Sequence, residues 1–103
     1  MSDFVDVLGT ADIAPGAMAA VDVGGTEAVV ANVGGTFYAF GAVCPHEQGP
    51  LAEGDLDGDT VTCPWHYTQF DVRTGAVIDG LTDESIAVYE VRVDGDRILV
   101  RKP

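Results

Sequence analysis

With 103 residues the chain is long enough to build one hydrophobic core and too short for two. Seventeen acidic residues against five basic ones give a net charge of -12, which disfavours nucleic acid and anionic membrane surfaces as partners. No run of about eighteen apolar residues and no basic-then-apolar leader is present, so no membrane anchor or secretion signal is expected and the expected compartment is the cytoplasm.

In chain order, short β-rich runs alternate with turn signals, and residues 4–8, 18–23, 28–33, 36–40, 60–62, 69–72, 86–93 and 97–101 each read as a strand. No stretch reads as a helix. Val23-Gly24-Gly25-Thr26 and Val33-Gly34-Gly35-Thr36 recur at ten-residue spacing. Gly-Gly supplies the positive φ that two-residue hairpins need, so this part of the chain reads as a meander. These glycines lack the Gly-x-Gly-x-x-Gly or Gly-Lys-Ser/Thr context of a phosphate loop. Phe37, Tyr38 and Phe40 read as sheet core. Near the end, Tyr89, Val91 and Val93 alternate with Val88, Glu90 and Arg92 as in a strand with one buried face, and Asp94-Gly95 closes a last hairpin. The expectation is an all-β chain forming a single domain over residues 1–103.

The candidate chemistry lies between residues 44 and 66, where Cys44-Pro45-His46 and Cys63-Pro64-Trp65-His66 hold the only two cysteines and the only two histidines. Sixteen residues separate His46 from Cys63, none of them a further soft ligand. Two thiolates and two imidazoles can hold one metal or a pair. A single tetrahedral zinc accepts that set, although zinc fingers of this composition place both cysteines before both histidines. Here the order alternates, which suits two differently ligated irons because each loop presents one ligand to each metal. A thiol nucleophile with a histidine base would leave a matched second pair unexplained. A Cys44–Cys63 disulfide would consume both thiolates and is rare in reducing compartments. Pro45 and Pro64 each follow a cysteine and stiffen the backbone there, while Gly49 and Gly54 permit close turns around an inorganic core.

The two boxes resemble the Cys-x-His and Cys-x-x-His motif of Rieske [2Fe-2S] proteins, with that family's usual spacer length. The likeness continues through Val43–Leu51, Gly54–Asp59, Val61–His66, Phe70–Gly75 and Tyr89–Asp96, and is similar to the small bacterial Rieske-type ferredoxins of oxygenase systems. Residues 1–40 carry no comparable signature. The resemblance implies a Rieske-like antiparallel β-sandwich base with a small inserted cluster-binding subdomain of about residues 42–71. It implies one [2Fe-2S] cluster per chain, with Cys44 and Cys63 on the inner iron and His46 and His66 on the outer one. The implied role is that of a soluble, monomeric one-electron carrier and not an enzyme. It would take electrons from a ferredoxin reductase and pass them to the terminal oxygenase of an aromatic-ring-hydroxylating dioxygenase system, through transient contacts. Two alternatives stand beside it: the small electron-transfer subunit of an assimilatory nitrite reductase, and a zinc-stabilised interaction module.

Departures from related patterns narrow the class. Respiratory Rieske proteins carry an extra cysteine in each box, where this chain has Gly49 and Trp65, and they place serine and tyrosine where Thr68 and Phe70 stand. Phe70 cannot donate a hydrogen bond to a cluster; Thr68 can. Oxygenase ferredoxins often carry a proline in a third loop over the cluster, and Asp79-Gly80-Leu81-Thr82 has none.

With both histidines taken as ligands, none remains for a mononuclear iron triad, zinc hydrolysis or a catalytic dyad. No dinucleotide or flavin fingerprint is present, which suits a shuttle of single electrons. Residues 1–72 hold eleven acids and no lysine or arginine, leaving a net charge of -1 for residues 73–103. Glu47, Glu53, Asp55, Asp57 and Asp59 cluster between the boxes and either steer a basic partner or serve solubility alone. Trp65 and Tyr67 flank His66. An aromatic exposed there could anchor a transient interface, whereas Trp65 packed over the cluster would shield it from water.

Overall fold

Asx-Val-Gly-Gly-Thr occurs twice, and each copy makes a tight hairpin. Gly24 and Gly25 take φ of 60° and 91°, and Gly34 and Gly35 take 60° and 97°, the doubly positive pair that matches strand twist. The Asx residue completes each turn: the Asp22 carboxylate accepts the Gly25 N–H at 2.6 Å and the Asn32 amide oxygen accepts the Gly35 N–H at 2.8 Å. Asn32 is buried, and its amide nitrogen also donates to the Ile13 carbonyl at 2.8 Å, tying the preceding loop to the meander. These hairpins join β2 (Met18–Val23), β3 (Thr26–Val33) and β4 (Thr36–Gly41) in antiparallel register.

The computed structural model describes residues 4–43, 50–64, 67–79 and 85–101. Within them, β1 (Val5–Gly9), β9 (Val88–Asp94) and β10 (Arg97–Arg101) complete a six-stranded antiparallel sheet in the order β1-β10-β9-β4-β3-β2. A second sheet contains β5 (Asp55–Asp57), β6 (Thr60–Thr62), β7 (Gln69–Asp71) and β8 (Val77–Asp79) in sequence order. Among the described residues the only helical pieces are two three-residue 3-10 turns, Thr10–Asp12 and Leu51–Glu53.

Strand β3 explains how the two sheets share one molecule. Its side chains alternate between faces, and both faces are buried. Ala28 and Val30 join Ile13, Val21, Val23, Ala39, Tyr89, Ile98 and Val100 in one core. Val21 and Ile98 come from strands far apart in the sheet order, so the six-stranded sheet curls around this core. Val29 and Ala31 face the other way and, with Phe40, pack against Leu51, Val61, Cys63, Phe70, Val72 and Ile86. That second core fastens the four-stranded sheet to the base. Complete burial of Phe40, Leu51 and Phe70 contributes roughly 1.5–3 kcal/mol per side chain.

Differences from the sequence expectations have local causes. Strands β5 and β8, of three residues each, are too short to be read from pattern. Asp55-Leu56-Asp57 is held by pairing Leu56 opposite Val61, and β8 by pairing Val77 opposite Phe70 beyond a register shift. Strand β9 begins at Val88 because Ile86 and Ala87 bond elsewhere: the Ile86 N–H donates to the Gly75 carbonyl and the Ala87 carbonyl accepts from Gly41. Val93 was expected on the buried face but is 48% exposed. Strand β4 pairs with β9 only at Val88 and Tyr89, so beyond that point β9 has a paired neighbour on one side alone among the described residues. Phe40 is fully buried, while Phe37 and Tyr38 are half-buried against opposite cores.

Candidate metal centre

Cys63 follows the last residue of β6 and is fully buried, in the second core with Phe70, Val72 and Leu51. Two backbone hydrogen bonds close the loop that starts there. The Cys63 N–H donates to the Thr68 carbonyl at 2.8 Å, and the Tyr67 N–H donates to the Cys63 carbonyl at 3.0 Å. Tyr67 takes a left-handed φ of 62°, which turns the chain from this loop into β7. Pro64, at the loop's first position, has no N–H to satisfy.

The first box is held at its ends. Val43 and Pro50 form an antiparallel bridge, and the Leu51 N–H donates to the Ala42 carbonyl at 2.9 Å. The 3-10 turn after Pro50 then brings Gly54 against β6, where a Cβ on residue 54 would stand 2.0 Å from the Thr62 carbonyl oxygen. Gly54 is therefore required by close approach to the residue preceding Cys63. The sequence expectation, a turn around the inorganic core, had assigned its role differently. Through this contact the exit of the first box and the entry of the second are rooted on the same patch of the fold.

Of the expected ligands, Cys63 is placed by the structure. Cys44, His46 and His66 lie outside the described residues, as do Pro45, Glu47, Gly49, Trp65 and residues 80–82 of the third loop. Thr68, whose carbonyl holds Cys63, is fully buried, and its Oγ1 has no hydrogen-bond partner among the described residues. A buried hydroxyl left unpaired costs about 1–3 kcal/mol, so the site calls for an acceptor. A thiolate-bound iron–sulfur centre is rich in such acceptors, and hydrogen bonds to its sulfurs tune it. Buried Cys63 beside a spare donor, walled by Phe70 and Leu51, fits that group. Sequence reasoning had singled out Thr68 as a possible donor, but its burial could not be read from the motif.

The acids between and just after the boxes divide into two kinds. Asp59 and Asp71 flank Arg73, whose Nε lies 3.1 Å from the Asp59 carboxylate and whose Nη2 lies 3.0 Å from that of Asp71. The hydrogen bond from Arg73 holds the Asp71 carboxyl below the usual carboxylate range, against the opposing effect of burial. Glu53, Asp55 and Asp57 are exposed, and among the described residues no ion pair reaches them. The described residues contain no group of three or more His, Cys, Asp or Glu that could hold a metal. Tyr67 is 73% exposed and Val43 is 45% exposed, each next to a box. Among the described residues no helix is long and apolar enough to cross a membrane.

Comparison with known proteins identifies the centre. Residues 3–90 match the Rieske [2Fe-2S] domain family. The chain is 35% identical over 94 residues to the ferredoxin component of biphenyl 2,3-dioxygenase from Rhodococcus jostii (strain RHA1), covering 91% of this chain and 88% of that one. It superposes on the ferredoxin of carbazole 1,9a-dioxygenase from Nocardioides aromaticivorans IC177 with a TM-score of 0.93 at 34% identity, over 97% of this chain and 98% of that one. A chain in a complex of reduced oxygenase and oxidized ferredoxin in carbazole 1,9a-dioxygenase matches with a TM-score of 0.91 at 34% identity, over 97% of this chain and 95% of that one. A nitrite reductase small subunit from Mycobacterium tuberculosis shares the fold, with a TM-score of 0.89 over 100% of this chain and 97% of that one, but only 22% identity. The match across residues 3–90 and the buried Cys63 beside Thr68, whose hydroxyl has no partner among the described residues, agree: this chain belongs to the Rieske [2Fe-2S] family and carries that type of cluster.

Proposed function

We propose that the protein is a cytoplasmic, monomeric one-electron carrier that takes electrons from a ferredoxin reductase and delivers them to the terminal oxygenase of an aromatic-ring-hydroxylating dioxygenase system. Likeness at 34–35% identity to ferredoxin components, extending over more than nine-tenths of the chain, carries this reading. The nitrite reductase alternative has only a shared fold behind it. In this reading Cys44 and Cys63 hold the inner iron, His46 and His66 hold the outer one, and about residues 42–71 form the cluster-binding subdomain. The cluster supplies a single reversible electron. The protein's own part is to exclude water at Cys63 through Phe70 and Leu51, to offer the Thr68 hydroxyl as a donor, and to root the exit of the first box beside the entry of the second through the Gly54–Thr62 approach.

The test combines composition with delivery. Purified protein is expected to contain two irons and two acid-labile sulfides per chain, and when reduced to show the low average g of mixed histidine and cysteine ligation. His46→Ala and His66→Ala are each expected to lose the cluster or bind it weakly, because an iron short of one ligand is open to water. Normal iron content in both variants would overturn the ligand assignment. Failure of the reduced protein to pass electrons to any ring-hydroxylating oxygenase would overturn the role.

A further inference from the structure

Eight glycines among the described residues take positive φ, and one other residue does, Tyr67. The two hydrogen bonds that close the Cys63 loop hold residue 67 in this left-handed conformation, which an L side chain adopts only under strain. Elsewhere among the described residues the chain meets such a demand with glycine. The tyrosine ring is 73% exposed, and its hydroxyl makes no hydrogen bond among the described residues. Neither local conformation nor core packing accounts for the residue. Strained positions persist mainly where function requires them.

Resting on the carrier reading above, we infer that Tyr67 is a contact residue for the terminal oxygenase, its ring entering an apolar pocket on the acceptor face. Tyr67 immediately follows His66 in sequence, and Val43, 45% exposed, immediately precedes Cys44. Both boxes thus carry an exposed apolar group at one end. Glu53, Asp55 and Asp57 are exposed carboxylates with no ion pair among the described residues. A partner complementary to these groups offers an apolar pocket and basic side chains, the usual makings of an anchored transient interface. Tyr67 acts by positioning the partner, not by carrying the electron.

The experiment compares wild type, Tyr67→Gly and Tyr67→Phe as cluster-loaded proteins. Each is reduced and mixed in stopped flow with purified terminal oxygenases of biphenyl and carbazole dioxygenases, using whichever oxidises wild type faster. Tyr67→Gly is expected to keep its reduction potential and its paramagnetic resonance spectrum and to unfold at the same or a higher temperature. Its second-order oxidation should slow by about tenfold, the loss of a typical anchor residue, while Tyr67→Phe stays near wild type. Oxidation of Tyr67→Gly at the wild-type rate overturns the inference, as does slowing that comes with a shifted potential or a lower unfolding temperature. If ferricyanide oxidises reduced wild type but neither oxygenase does, the carrier reading falls and takes the inference with it.

Discussion

Thr68 and Phe70 stand two residues apart, and both are fully buried. Thr68 brings a hydroxyl without a partner among the described residues; Phe70 brings only a ring. Reduction adds negative charge to the cluster, so a donor aimed at its sulfurs favours the reduced form. Thr68→Val keeps the shape and removes the donor. The midpoint potential is expected to fall by about 40 mV, the equivalent of one net hydrogen bond of about 1 kcal/mol at 59 mV per tenfold change for one electron. Protein-film voltammetry measures this directly, and an unchanged potential would show that the hydroxyl serves no sulfur. Phe70→Tyr would add a donor and is expected to raise the potential by a similar amount. Because Phe70 packs opposite Val61 in a filled core, the added oxygen should also lower stability by about 1–3 kcal/mol unless it finds an acceptor.

At the scale of elements, the site depends on how two loops are rooted on β6. Gly54→Ala would place a methyl group 2.0 Å from the Thr62 carbonyl oxygen, so backbone must move on one side or the other. The expected cost is about 1–3 kcal/mol, as for other overpacked positions, together with lower cluster occupancy because the displaced strand leads directly into Cys63. Chemical unfolding and iron content per chain check both effects; full occupancy at wild-type stability would contradict the close approach. Arg73 links the turn before β6 to the end of β7 through Asp59 and Asp71, and Arg97 links β10 to β1 through Asp6. In both cases the hydrogen bond from arginine lowers the carboxyl pKa below its value in an unfolded chain. A lowered folded pKa means that the contribution is present above the unfolded pKa, near about 3.9 for aspartate, and is lost as pH falls through the folded value. Acid unfolding of the Arg73→Ala, Arg97→Ala double variant should therefore be less steep below about pH 4 than that of wild type. Both pairs are exposed, so the effect at neutral pH is small.

For the molecule as a whole, the uneven charge is the dominant long-range property. Residues 1–72 carry a net charge of -11, and Glu53, Asp55 and Asp57, exposed and without an ion pair among the described residues, add to the field near the boxes. The second-order rate of electron delivery is expected to fall as salt rises, since the screening length shrinks to about 8 Å at physiological ionic strength. A rate that stays flat from low to high salt would assign these acids to solubility alone.

The sequence by itself narrowed the cofactor, because four soft ligands in two alternating boxes suit a zinc ion or a pair of irons, and the family resemblance implied the Rieske cluster. It also determined the meander, because paired glycines at fixed spacing admit one kind of turn. Both signals are local, carried by residues next to one another in the chain. Tertiary structure decided the rest. Strands β5 and β8 exist through pairing with β6 and β7 and are nearly invisible in their own three residues. Gly54 is needed by a carbonyl eight positions away, and Val93 is exposed where β9 has run beyond its pairing with β4. The burial of Thr68 and the exposure of Tyr67, adjacent residues with opposite environments, follow from the end of one loop and the start of β7. Composition and periodicity report what a residue prefers. Only the packing of two sheets against β3 determines which preferences are met, and two residues it leaves unsatisfied among those described, the Thr68 hydroxyl and the left-handed Tyr67 with its ring in solvent, are the ones on which the cluster and docking readings rest.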